Sequence, residues 1–117
     1  QINDNYGHTT GDLLLNNIGK ILIKLMRRSD LVFRYGGDEF CIILRNTSLD
    51  GASTLANRIR KDISEQKFDC NNIEIKTSIS IGLVKLHEDD NSIKFIERAD
   101  NLLYEAKKSG RNNVIVE

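Results

Sequence analysis

The chain of 117 residues has no surplus charge of either sign, since seventeen Lys and Arg balance seventeen Asp and Glu and the pI is about 6.9. Without a global basic field it lacks the driving force for nucleic-acid backbone binding, so no nucleic-acid partner is expected. No apolar run approaches the roughly 20 residues that cross a bilayer, so the chain is not itself a membrane segment. Cysteine is scarce. Cys41 lies in an apolar run and Cys70 in a polar stretch, with neither metal-ligand spacing nor a disulfide framework. Cys41 is expected to be a small core residue, and a reducing cytoplasm is the default location, which leaves a membrane-anchored parent open. No secretory leader is expected, and no low-complexity segment interrupts these residues. The opening residues Gln1-Ile2-Asn3-Asp4 show neither an initiator Met nor a helix-start signal. The chain therefore reads as a fragment of a longer protein.

Hydrophobic residues at 39% and charged residues at 29% fit a soluble globular protein, read as one domain over residues 1–117. Leu14, Ile18, Ile21, Leu22 and Leu25 recur at helical spacing and predict an amphipathic helix over residues 11–28. Ala52, Leu55, Ala56, Ile59 and Ile63 repeat the pattern, capped by Ser48 or Asp50 and fading near Gln66. Ile73 and Ile75, then Ile79, Ile81 and Leu83, alternate with polar residues as strand, interrupted around Thr77-Ser78 or Gly82. Ile93, Ile96, Ala99, Leu103 and Ala106 predict a last helix stopped by Gly110, and Val114-Ile115-Val116 a final strand. This order predicts an α/β (α+β) sandwich, a mixed central sheet flanked by helices.

The tract Arg34-Tyr35-Gly36-Gly37-Asp38-Glu39-Phe40 sets two adjacent carboxylates beside two glycines. Leu31-Val32-Phe33 and Cys41-Ile42-Ile43-Leu44 flank it as strands, so Gly36-Gly37 reads as the tight turn of a hairpin. Glycines admit a bulky ligand close to the backbone, and hard carboxylate oxygens favour Mg²⁺, which in turn favours phosphates. A metal-assisted nucleotide site and an ordinary solvated turn both fit these residues taken alone.

The same tract resembles the signature of the GGDEF family, the diguanylate cyclases. Further strings similar to family motifs follow the family order: Ile2-Asn3-Asp4-Asn5-Tyr6-Gly7-His8, Gly11-Asp12, Arg27-Arg28-Ser29-Asp30, Ser80-Ile81-Gly82, Ala99-Asp100, Tyr104-Glu105-Ala106-Lys107 and Gly110-Arg111-Asn112. The resemblance implies a ferredoxin-like palm, similar to that of nucleotidyl cyclases and polymerases. It also implies a first strand with an Asp-rich metal motif and Phe-Lys immediately ahead of Gln1, missing from this fragment.

Asn3 and Asp12 are nine residues apart, about 180° around an unbroken helix. A turn over Tyr6–Gly11 would fold Asp12 back toward Asn3, and an amide plus a carboxylate suits a guanine edge. Alternatively Asp12 serves only the positive end of the next helix. The resemblance implies guanine recognition by both. Asp38 and Glu39, as strand neighbours, should face opposite ways and do different work. The resemblance makes Asp38 the metal carboxylate that helps deprotonate the ribose hydroxyl, with Glu39 beside it in a metal or supporting role. Gly36 and Gly37 would line the substrate. Lys107 and Arg111 are four apart at the close of the last helix, where cations are favoured in any case. In the family such positions reach the triphosphate, and a point-charge Lys and a forked Arg suit it. Arg27 and Asp30, with Arg58 on the following helix, resemble the family's inhibitory product site; by composition alone they are a helix-end cation and a turn acid.

The expected function is condensation of two GTP to cyclic di-GMP and two pyrophosphates, with Mg²⁺ or Mn²⁺, between two facing domains of a homodimer. Regulatory segments of the parent chain would control that pairing. The alternatives are a non-catalytic GGDEF module that senses GTP or cyclic di-GMP, and a polymerase-like enzyme sharing the palm.

Overall fold

The computed structural model describes residues 8–34 and 39–117, and every structural statement below concerns those residues. Their order is helix α1 (His8–Leu25), strands β1 (Leu31–Arg34) and β2 (Phe40–Ile43), helix α2 (Leu49–Glu65), strands β3 (Phe68–Cys70), β4 (Ile73–Ile75) and β5 (Ile81–Leu83), helix α3 (Ser92–Lys108), and strand β6 (Val114–Val116). Helices and strands are mixed as expected of an α+β fold. The ladders include both antiparallel and parallel pairs, but they form three separate two-stranded sheets. The chain divides into two compact units.

The first unit covers Gln1–Asn46 and Gln66–Lys76. Its α1 buries Leu14, Leu15, Ile18 and Leu22 along one stripe, with Phe68, Cys70 and Ile75 also in the core. The helix packs on β3, where Asn17 Nδ2 donates to Cys70 Sγ at 3.7 Å. Cys70, not Cys41, is thus the fully buried cysteine, and Cys41 is only half-buried. Strand β3 lies between Gln66 and Ile73, where the sequence pattern predicts no element. It pairs with β4 across Asn71-Asn72, both at positive φ (55° and 62°), as a two-residue hairpin turn of this kind requires. Strands β1 and β2 form the expected antiparallel hairpin, in the register Leu31↔Ile43, Val32↔Ile42, Phe33↔Cys41 and Arg34↔Phe40.

The second unit covers Thr47–Glu65 and Thr77–Glu117. Ser48 starts α2, its hydroxyl accepting from Gly51 N at 3.0 Å and its carbonyl from Ala52 N at 2.9 Å. Asn91 caps α3 by accepting from Lys94 N at 2.8 Å. β5 and β6 run parallel, joined through α3 as the parallel arrangement demands, and both α2 and α3 pack on the pair. Gly82 makes this packing possible, because a Cβ there would stand 2.4 Å from Leu103 N and 2.5 Å from Ala99 O. Ile93, expected on the apolar face of α3, is 70% exposed in its first turn.

Candidate functional site

The hairpin of the first unit carries the signature tract. Gly36, Gly37 and Asp38 lie outside the described residues, as does Asn3. Glu39 stands half-buried immediately ahead of β2. The Phe40 ring lies over Gly19 of α1, its nearest atom 3.4 Å from where a Cβ would stand, so the hairpin strand rests on the helix at that point. At the other strand, Arg34 Nη2 comes within 3.7 Å of Asp12 Oδ1. This contact ties the first residue of the tract to the helix residue expected to read guanine. Nothing in the sequence alone marked Arg34 for that role.

Asp12 is the fifth residue of α1, whose first turn contains no acid. The helix-dipole effect fades beyond that turn, so it does not account for this carboxylate. Residues 8–11 are already helical, which removes the expected turn through Gly11. Among the described residues, no group of three or more His, Cys, Asp or Glu side chains could hold a metal ion. Glu39 supplies one hard carboxylate where the metal ligands were expected.

Arg27 and Asp30 come together, though not on the helix. α1 stops at Leu25, two residues short of Arg27, with Met26 N bonded to Ile23 O at 3.2 Å in a tightened last turn. Asp30 Oδ2 accepts from the Arg27 backbone N at 2.9 Å and from its Nε at 3.2 Å, and Oδ1 accepts from Nη2 at 3.1 Å. Nη2 also donates to Arg45 O at 2.6 Å. The Asp30 side chain is only 1% exposed, so its oxygens face Arg27 and not solvent. The Arg27 side-chain hydrogen bonds hold the Asp30 carboxyl below its ordinary pKa, and the same bonds raise that of Arg27.

The second unit holds Arg58, Lys107 and Arg111. Arg58 Nε lies 4.0 Å from Asp62 Oδ2, one turn further along α2. Lys107 is half-buried in the last turn of α3. After it, Ser109 N returns to Glu105 O at 2.9 Å, Gly110 takes φ +108°, and Arg111 takes φ +63° with its N donating to Ala106 O at 3.1 Å. A left-handed arginine is uncommon, and it sits where a phosphate-binding residue was expected. The unit also contains an ion cluster that no motif announced. Arg98 bridges Asp90 and Glu117 and donates to Lys85 O at 2.7 Å, and His87 Nε2 lies 3.1 Å from Glu117 Oε1.

Residues 1–113 match the family described as diguanylate cyclase, GGDEF domain. The chain belongs to the GGDEF family. Diguanylate cyclase A of Treponema denticola is 44% identical over 114 residues, which are 97% of this chain and 31% of that protein. The chain thus spans about a third of that relative's length. Among solved structures, diguanylate cyclase SiaD of Pseudomonas aeruginosa, in complex with its activator SiaC, superposes with a TM-score of 0.92 at 29% identity, covering 100% of this chain and 45% of that one. The GGDEF domain of DgcB from Caulobacter crescentus, in complex with c-di-GMP, gives 0.90 at 27% identity over 98% of this chain and 67% of that one. The fold is that of GGDEF domains. No described helix of this member is long and apolar enough to cross a membrane.

Proposed function

We propose that this chain is a single GGDEF domain, residues 1–117, and works as the catalytic domain of a diguanylate cyclase. The observation that carries the reading is the intact signature Gly36-Gly37-Asp38-Glu39-Phe40 within a family match over residues 1–113. The contact of Arg34 with Asp12 supports it, by joining the tract's leading residue to the proposed guanine reader. Asn3 and Asp12 bind the guanine edge, Gly36 and Gly37 let the nucleotide approach the backbone, and Lys107 and Arg111 hold the triphosphate. Asp38 takes the proton from the 3′ hydroxyl. That oxygen attacks the α-phosphorus of the GTP on a second, facing domain, the new phosphodiester forms, and pyrophosphate leaves. The reciprocal attack closes the ring, giving one cyclic di-GMP and two pyrophosphates. Asp38, with Glu39 in a metal or supporting role beside it, would hold Mg²⁺ or Mn²⁺, which would supply charge neutralisation at the phosphates.

One domain provides half of the reacting pair, so activity depends on a homodimer, controlled by regulatory segments of a longer, cytoplasmic or membrane-anchored protein. Arg27 and Arg58 bind the product, and Asp30 holds Arg27 in position. The related DgcB GGDEF domain is in complex with c-di-GMP, which supports product binding by such a domain.

The decisive assay is GTP turnover with Mg²⁺ by the full-length protein, read as cyclic di-GMP by chromatography, for wild type and Asp38→Asn. Wild-type product and its loss in the variant are expected, because a neutral amide is neither a good metal ligand nor a base. A wild type that binds GTP without turnover would make the domain a sensor. An Asp38→Asn variant at wild-type rate would remove Asp38 from the mechanism.

A further inference from the structure

The left-handed turn after α3 is held from outside by residues that the proposed chemistry does not use. Gly110, Arg111 and Asn112 all have positive φ (108°, 63° and 50°). Glycine and asparagine adopt that region readily, whereas for arginine it is sparsely populated and persists only when neighbours impose it. Three bonds impose it here besides the one from Arg111 N to Ala106 O. Asn112 N donates to Ser80 Oγ at 3.2 Å, Arg60 Nη1 donates to Asn112 Oδ1 at 3.1 Å, and Ile81 N donates to Asn113 O at 3.0 Å. The last is a main-chain bond that any residue at 81 other than proline supplies. The first two depend on particular side chains, Ser80 ahead of β5 and Arg60 on α2.

We infer that Ser80 and Arg60, acting through Asn112, are positioning residues that hold Arg111 in the backbone conformation from which it meets the triphosphate. This rests on the proposed role of Arg111. It gives a task to two motif residues, Ser80 and Asn112, that the proposed chemistry leaves unassigned, and to an α2 arginine that no motif contains. The physical logic is preorganisation. A forked guanidinium gains its bidentate geometry at a phosphate only if its stem starts from a fixed direction, and a turn free to relax to negative φ swings that direction away. Removing either tether leaves the chain folded, because both bonds are near the surface, but lets the turn sample other conformations.

The test measures GTP KM and kcat in the full-length protein for Arg111→Ala, Ser80→Ala, Ser80→Thr, Asn112→Gly and the double variant Ser80→Ala/Arg111→Ala. Ser80→Ala should raise KM about two- to tenfold, the scale of one net hydrogen bond, with kcat changed far less. Ser80→Thr retains the hydroxyl and should restore KM. Asn112→Gly accommodates positive φ but lacks the acceptor for Arg60, so it too should raise KM while its melting temperature stays near wild type. In the Arg111→Ala background Ser80→Ala should add almost nothing. An unchanged KM in Arg111→Ala overturns the triphosphate role and this inference with it. A raised KM in Arg111→Ala with an unchanged one in Ser80→Ala overturns the inference alone, as does a Ser80→Ala effect that is equally large with Arg111 absent.

Discussion

Asp12 on α1 and Arg34 at the end of β1 face each other at 3.7 Å, a half-exposed pair joining two segments that the sequence separates by twenty-two residues. As an ion pair it contributes little to stability, about 0–1 kcal/mol. Its significance is positional. A carboxylate in the second helical turn, beyond the reach of the helix dipole, is held beside the strand that leads into the signature tract.

If Asp12 accepts the guanine N1 and N2 hydrogens, Asp12→Ala should weaken GTP by about 1.5–3 kcal/mol, the worth of a charged hydrogen bond, and ATP much less. Adenine does not present those donors in that pattern. Competition binding with both nucleotides reads the difference. Equal losses would return Asp12 to the role of partner for Arg34.

Gly82→Ala should destabilise the second unit by about 1–3 kcal/mol or more, the usual cost of overpacking. The added methyl would meet Leu103 N at 2.4 Å and Ala99 O at 2.5 Å, both backbone atoms that cannot rotate away. α3 would have to lift off β5. The shift in urea midpoint measures this, and a wild-type midpoint would mean that helix and strand do not approach so closely.

The Arg27–Asp30 geometry separates two readings of the Arg27-Arg28-Ser29-Asp30 motif. With its carboxylate 1% exposed and turned to Arg27, Asp30 acts on a ligand only through that guanidinium. Arg27→Ala and Asp30→Ala should therefore both relieve inhibition by added cyclic di-GMP, Arg27→Ala at least as much, and Arg58→Ala should resemble Arg27→Ala. The measurement is initial rate against added product. Undiminished inhibition in all three would leave the motif as a helix-end turn.

Much of this is legible in the sequence. Leu14, Ile18 and Leu22 named the buried stripe of α1, and the helical spacing from Ala52 to Ile63 named that of α2, because those signals are local and periodic. Strand β3 was not legible. Its three residues Phe68, Asp69 and Cys70 are too few to establish a period, and their burial is decided by a helix some fifty residues away, through contacts such as Asn17 to Cys70. α1 ends at Leu25, three residues short of the end that its spacing predicts, because Asp30 captures the Arg27 backbone N–H, a bond that spacing does not reveal. The site showed the same division. Lys107 and Arg111 stood out by residue type and motif, whereas Arg34, Ser80 and Arg60 acquire roles only through tertiary contacts. Asn3, Gly36, Gly37 and Asp38 lie outside the described residues.

The Arg98 cluster should appear in the acid limb of stability. Hydrogen bonds from the Arg98 side chain, with help from His87 N, hold the Asp90 carboxyl below its ordinary value. The folded pKa is thus lower than the unfolded one, near 3.9, so the unfolded state binds the proton first as pH falls. The stabilisation is fully present above about pH 4–5 and is lost as pH drops through the unfolded value toward the folded one. Asp30, held low by Arg27, contributes with the same sign. Arg98→Leu should lower stability at neutral pH and flatten the decline between about pH 5 and 3, while the part due to Asp30 persists. Asp90→Asn should flatten it similarly, since an amide does not titrate. Urea midpoints across that range decide the matter. A decline as steep in Arg98→Leu as in wild type would mean that the cluster binds its charges without linking them to folding.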